Sequence, residues 1–143
     1  MGQFYFGERS KANLGQCHPD LVMVAQYVMN LQVYDFTIIC GYRGEEEQTH
    51  AFLQGNSTVR WPDSNHNVTP SDAFDFGPWV RMPGGRMGIP WEDTHAFAIL
   101  AGMFIAAGAV LGTPVRCGGD WDSDGRTKDH KLLDLGHIER IRT

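Results

Sequence analysis

"SNHNVTPSDAFDF", residues 64–76, sets the terms for the whole chain. Residues 72–76 have the alternation of a half-buried strand, with Phe74 and Phe76 on one face and Ala73 and Asp75 on the other. The phenylalanines face a core, so Asp75 points to the opposite side, beside a residue small enough to leave room. A carboxylate held there without a partner costs several kcal/mol. His66 lies just upstream, in the loop feeding the strand. A metal ion or a buried ion pair would each answer the carboxylate.

Working outward, residues 13–30 have helical spacing (Leu14, Leu21, Val24, Ala25, Val28), with His18-Pro19-Asp20 as an alternative start. "DFTIICGYR" predicts a strand over 36–40, and "GEEEQTHAFLQG" a short helix with acids in its first turn. The Gly- and Pro-dense stretch 77–91 reads as loop. A long helix runs from Trp91 to about Leu111, "PVRCGG" is a short strand, and "DLGHIERIR" is a last strand that alternates after its glycine. Short strands joined by long connections, without regular βαβ alternation, predict an α+β fold: a small, mostly antiparallel sheet with helices packed on it. No repeat or linker divides the chain, and 1–143 reads as one catalytic domain.

The 143 residues are 42% apolar and 20% charged, with a net charge of -5. That is a globular composition, and without clustered Lys and Arg it argues against nucleic acid as a partner. Cys17, Cys40 and Cys117 form no C-x-x-C pair and read as three buried free thiols. The N-terminus has no signal-peptide pattern, and Phe6 breaks a myristoylation motif. The apolar stretch 97–112 falls short of a bilayer span and reads as a buried core helix, with no membrane insertion. A monomer is expected.

His137 sits on the last strand, with Gly136 before it and Asp134 three residues upstream. Two imidazoles and a carboxylate (His66, His137, Asp75) make a common ligand set for catalytic zinc, and Asp134 is near enough to serve as general base. A satisfied core pair remains the competing reading of these residues alone.

"SNHNVTPSDAFDF" together with "DLGHIE" resembles the two signature segments of the D-alanyl-D-alanine carboxypeptidase and hedgehog-like zinc peptidases. Among these, the chain is most similar to phage endolysins that are L-alanyl-D-glutamate endopeptidases. Ser64 and His66, Ala73 and Asp75, and Asp134 and His137 meet the pattern. "DFTIICGYR" with Gln48, and "CGGDW" ending at Trp121, extend it over nearly the whole length. The resemblance implies Zn2+ held by His66, Asp75 and His137, Asp134 as general base, and Arg43 as the cation for an oxyanion or a substrate carboxylate. It implies peptidoglycan as substrate, and a protein that waits in the host cytoplasm until the membrane is opened. Eight residues separate His66 from Asp75 where the family has six. The shorter spacing would select Asp72; the match at Ala73, and the phenylalanine face that Asp72 would share, select Asp75. The other readings are a carboxypeptidase or dipeptidase of the same superfamily and a non-catalytic zinc-containing virion module.

"DWDSDG" resembles the first half of an EF-hand loop and makes Asp120, Asp122 and Asp124 a candidate Ca2+ site, although Lys131 stands where a Glu is required. His130 is the rival ligand. His18, His50 and His95 read as structural, and Trp61, Trp79 and Trp91 as packing around the site's loops.

Overall fold

A computed structural model of the chain describes residues 4–118 and 134–141. In chain order its elements are α1 (Glu8–Leu14), α2 (Pro19–Asn30), β1 (Phe36–Cys40), α3 (Glu45–Leu53), a 3-10 turn (Asn65–Asn67), β2 (Ala73–Pro78), β3 (Val80–Arg81), β4 (Met87–Gly88), α4 (Thr94–Leu111), β5 (Val115–Gly118) and β6 (Asp134–Arg140). β1, β2, β6 and β5 form an antiparallel sheet in the order β1-β2-β6-β5. The α+β class read from the sequence is the class of the fold.

The helical spacing over 13–30 belongs to two helices. The chain turns between Leu14 and Pro19, and α2 starts with Pro19 in its first turn and His18 Nδ1 accepting from the Asp20 N–H at 3.1 Å. α1 covers the open edge of β1. Ser10 Oγ accepts from Ile38 N–H and Asn13 Nδ2 donates to Ile38 C=O, so the edge has no free backbone groups at that point. The glycine-rich loop contains a small hairpin, β3 with β4, where the sequence predicts only loop.

α2 and α4 pack on one face of the sheet. Phe104 of α4 is the centre of this core, meeting the rings of Phe36, Phe74 and Phe76 at 5.1, 5.3 and 4.9 Å in edge-to-face contacts. Phe74 and Phe76 thus face the helices, and Asp75 is turned to the other side. α4 opens on Asp93, whose Oδ1 accepts from Ala96 N–H. It is not enclosed as its composition suggested. Phe97, Leu100, Phe104 and Ala107 are buried, while Ile99, Ile105 and Val110 on its outer side are exposed. It is the one helix among the described residues long and apolar enough to cross a membrane.

Gly136 does not make room for a site ligand. A Cβ there would lie 2.8 Å from Phe76 O and 3.3 Å from the Phe97 ring, on the helix-covered face. The glycine lets α4 approach the sheet, and His137, the next residue, points the other way.

Candidate functional site

The face of the sheet away from α2 and α4 carries two rows that include polar side chains. Cys40 of β1 pairs with Asp75 of β2, and Asp75 pairs with His137 of β6, so the three stand abreast on neighbouring strands. The next row holds Ala73, Glu139 and Arg116. His66 reaches this face from the 3-10 turn. That turn is closed at both ends: Ser64 Oγ accepts from His66 N–H, and Ser64 N–H donates to Asn67 Oδ1. Asn67, itself buried, donates to Arg43 C=O and to Gln48 Oε1, and Arg43 N–H donates to His66 C=O. The turn carrying His66 is thereby fixed to the loop after β1 and to α3.

His66 Nε2, His137 Nδ1 and Asp75 Oδ1 lie at the corners of a triangle with all three edges 3.3 Å. The outer nitrogens show where the imidazole protons go. His66 Nδ1 lies 2.7 Å from the Gly41 carbonyl, which only accepts, so Nδ1 is the donor and Nε2 turns its lone pair inward. His137 Nε2 lies 2.9 Å from Glu139 Oε1, so Nδ1 is the inward lone pair. Three lone-pair atoms then converge on one point, and a cation there is what resolves their mutual repulsion. His66 and His137 are 1% and 7% exposed, so water does little to screen it.

The ionisation of these groups follows. Burial opposes charge on His66, but the Asp75 carboxylate and contacts with Asp75 and Cys40 outweigh it and raise its pKa to about 10. Burial opposes charge on His137 too, and hydrogen bonds to Asp75 and Glu139 carry its pKa upward. Burial would raise the Asp75 pKa, yet the two imidazoles beside it hold its carboxyl well below the ordinary range. The pocket is built for positive charge; with no ion bound, a proton takes that place.

Asp72, the alternative carboxylate, points elsewhere. Its Oδ1 accepts from Arg140 Nε at 3.0 Å, tying the start of β2 to the end of β6. The eight residues between His66 and Asp75 still bring both to one point, because Asp72 N–H bonds Asn65 C=O and folds the intervening segment back on itself. Arg43 is not a loose surface arginine: its side chain is 14% exposed, one guanidinium nitrogen lies 3.3 Å from Asp75 Oδ2 and the other 3.1 Å from Gln48 Oε1. Of the expected base, Asp134, the backbone opens β6 opposite Gly118, and its side chain lies outside the described residues. So do Asp120, Asp122 and Asp124 of the expected calcium loop, Trp121 and His130.

Three site groups were not read correctly from sequence. Cys40 is only half-buried, and its sulfur lies with the His66 and Asp75 donor atoms inside a cluster whose members are all within 4.8 Å of one another. A bulge between Ile38 and Cys40 shifts the pairing by one residue and brings Cys40 opposite Asp75; nothing in the sequence signals it. The Gly41 carbonyl also has no sequence signal. A Cβ on Gly41 would collide with the Asn13 carbonyl of α1, so only glycine fits there. The third group is Glu139. It is buried, with Oε1 on His137 and Oε2 2.6 Å from the Arg116 guanidinium, and it serves to orient His137. Its place two residues after His137 on the same strand puts both on one face, a signal that alternation provides. Glu139→Ala is expected to weaken divalent-cation binding about 10- to 100-fold, measured by competition with a chromophoric chelator.

Residues 1–141 match the family described as phage L-alanyl-D-glutamate peptidase. The L-alanyl-D-glutamate peptidase of Escherichia phage T5 is 33% identical over 141 residues, covering 96% of this chain and 98% of that protein. The crystal structure of the Serratia marcescens L-Ala D-Glu endopeptidase ChiX superposes with a TM-score of 0.70 at 25% identity, over 96% of this chain and 90% of that one. The sheet that brings His66, Asp75 and His137 together, and the match over nearly the full length, lead to one statement: the chain belongs to the phage L-alanyl-D-glutamate peptidase family.

Proposed function

We propose that this chain is a zinc-dependent peptidoglycan endopeptidase that hydrolyses the L-alanyl-D-glutamate bond of stem peptides and serves a phage in host lysis. The observation that carries the reading is the triangle of converging donor atoms. Tetrahedral zinc with bonds of about 2.0–2.1 Å has donor-to-donor edges of about 3.3–3.4 Å. The 3.3 Å edges between His66, His137 and Asp75 fit that ion, as does the mix of two neutral imidazoles and one carboxylate.

When bound, zinc supplies Lewis acidity and lowers the pKa of water toward neutrality. The chain's own residues do the rest. Gly41 and Glu139 hold the imidazole protons outward, so both rings keep their coordinating tautomer. Arg43 holds the outer oxygen of Asp75 and remains a fixed cation at the site, placed to meet negative charge on a substrate carbonyl or carboxylate. Asp134, three residues before His137 on β6, accepts the proton of the attacking water and passes it to the leaving amine. The protein acts on the cell wall, reaching it from the cytoplasm once a separate membrane-opening protein has acted.

Digestion of purified peptidoglycan tests the reading. The expected products carry new N-terminal D-glutamate on released stem peptides and L-alanine at the end of the glycan-linked stub, identified by mass spectrometry of muropeptides. Release of free D-alanine with the L-alanyl-D-glutamate bond intact would instead make the chain a carboxypeptidase. Ca2+ at Asp120, Asp122 and Asp124 belongs to the same proposal. Lacking the bidentate twelfth ligand, the loop is expected to bind weakly, at roughly 10⁻⁴ to 10⁻³ M. Activity that does not change across that calcium range removes the calcium site.

A further inference from the structure

We propose that Cys40 brings a sulfur donor to the metal centre, joining His66, Asp75 and His137 around the cation. The inference rests on the metal site of the preceding reading and adds a ligand to it. The sulfur belongs to a cluster of donors, within 4.8 Å of a ring nitrogen of His66 and a carboxylate oxygen of Asp75. The backbone explains why. Without the bulge, the ladder that pairs Phe36 with Pro78, Thr37 with Gly77 and Ile38 with Phe76 would set Ile39 opposite Asp75. The bulge puts Cys40 there instead, on the same face as Asp75 and His137, with Asp75 between them. Bulges beside functional sites commonly re-aim a side chain in this way. A cysteine in that row replaces what would have been an aliphatic side chain with a soft sulfur donor, which favours zinc and other thiophilic cations.

The three thiols of the chain differ accordingly. Cys17 is buried, and burial, reinforced by Cys40 and Asp75 nearby, pushes its pKa up to about 12, so it stays a protonated thiol. Cys117 is buried on the helix-covered face of β5, paired across from Ile138. Only Cys40 is half-exposed and also turned to the site. Catalytic zinc sites sometimes expand to five-coordinate, and it is in that form that a sulfur added to the three ligands leaves a place for water.

Cobalt(II) loaded into the metal-free full-length protein distinguishes the outcomes. The expected spectrum has visible d–d bands of low-symmetry cobalt together with a near-ultraviolet thiolate-to-cobalt charge-transfer band. In Cys40→Ser the charge-transfer band is lost and the d–d bands remain. Visible d–d bands in the unaltered protein without the charge-transfer band overturn the sulfur ligand and leave the metal site standing. Absence of any bound cobalt overturns both. A second measurement needs no variant: N-ethylmaleimide labelling of the native protein, located by peptide mass. Cobalt is expected to suppress labelling at Cys40, and equal labelling with and without cobalt, whatever its extent, overturns the proposal.

Discussion

Asp75→Asn protein is expected to lose its zinc on dialysis and to hydrolyse peptidoglycan at least about a thousandfold more slowly, while Asp72→Asn keeps a full complement of metal. Asp75 supplies the one anionic corner of the triangle, and its Oδ1 is shared by both imidazoles at 3.3 Å. An asparagine of the same shape presents a neutral oxygen or an N–H that repels the cation, and it leaves Arg43 facing the site without its carboxylate. A loss of that size corresponds to removing a group the reaction cannot proceed without. Asp72 gives the contrasting control. It is 5% exposed and bound to Arg140 Nε, so its loss should lower stability by about 1–2 kcal/mol, since Arg140 remains partly open to water. Metal content by inductively coupled plasma mass spectrometry and thermal melts read the two effects separately. Full metal in Asp75→Asn would disprove the ligand set.

The second large effect is expected at Asp134. Asp134→Asn should retain zinc and its melting temperature yet lose about 10²- to 10⁴-fold in kcat, the range for a positioned general base. The amide cannot accept the water's proton, and His66, Asp75 and His137 are untouched. Because kcat and kcat/KM should fall together, the loss is one of transition-state stabilisation and not of substrate binding. A fully active variant would move the base to another residue, and Glu139 is a poor successor: His137 and Arg116 already occupy its two oxygens.

Much of this site was legible because strands alternate. Phe74 and Phe76 against Asp75 fixed the inward and outward faces of β2, and the same rule separates Ile138 from His137 and Glu139 on β6. The long apolar run of α4 announced the core helix, and Leu100 and Phe104 are fully buried on it. What escaped depends on contacts between distant segments. The bulge that turns Cys40 toward the site is a mismatch of register between β1 and β2, and neither strand alone encodes it. The glycine at 41 is required by the Asn13 carbonyl on another helix. The break between α1 and α2 was obscured because apolar residues on both sides kept helical spacing, and only Pro19 after His18 marked it.

The order of strands in the sheet has a consequence for when activity can begin. β2 and β5 have no pairing with each other; β6 lies between them and comes after both in the sequence. Until β6 inserts, β5 has no neighbour in the sheet, and neither His137 nor Glu139 is in place. Pairings of long sequence separation are slow to form, because closing the intervening loop costs entropy first. With His137 in the proposed ligand set, a ribosome-bound chain that has not yet released β6 is expected to be inactive, and so is any fragment cut before residue 134.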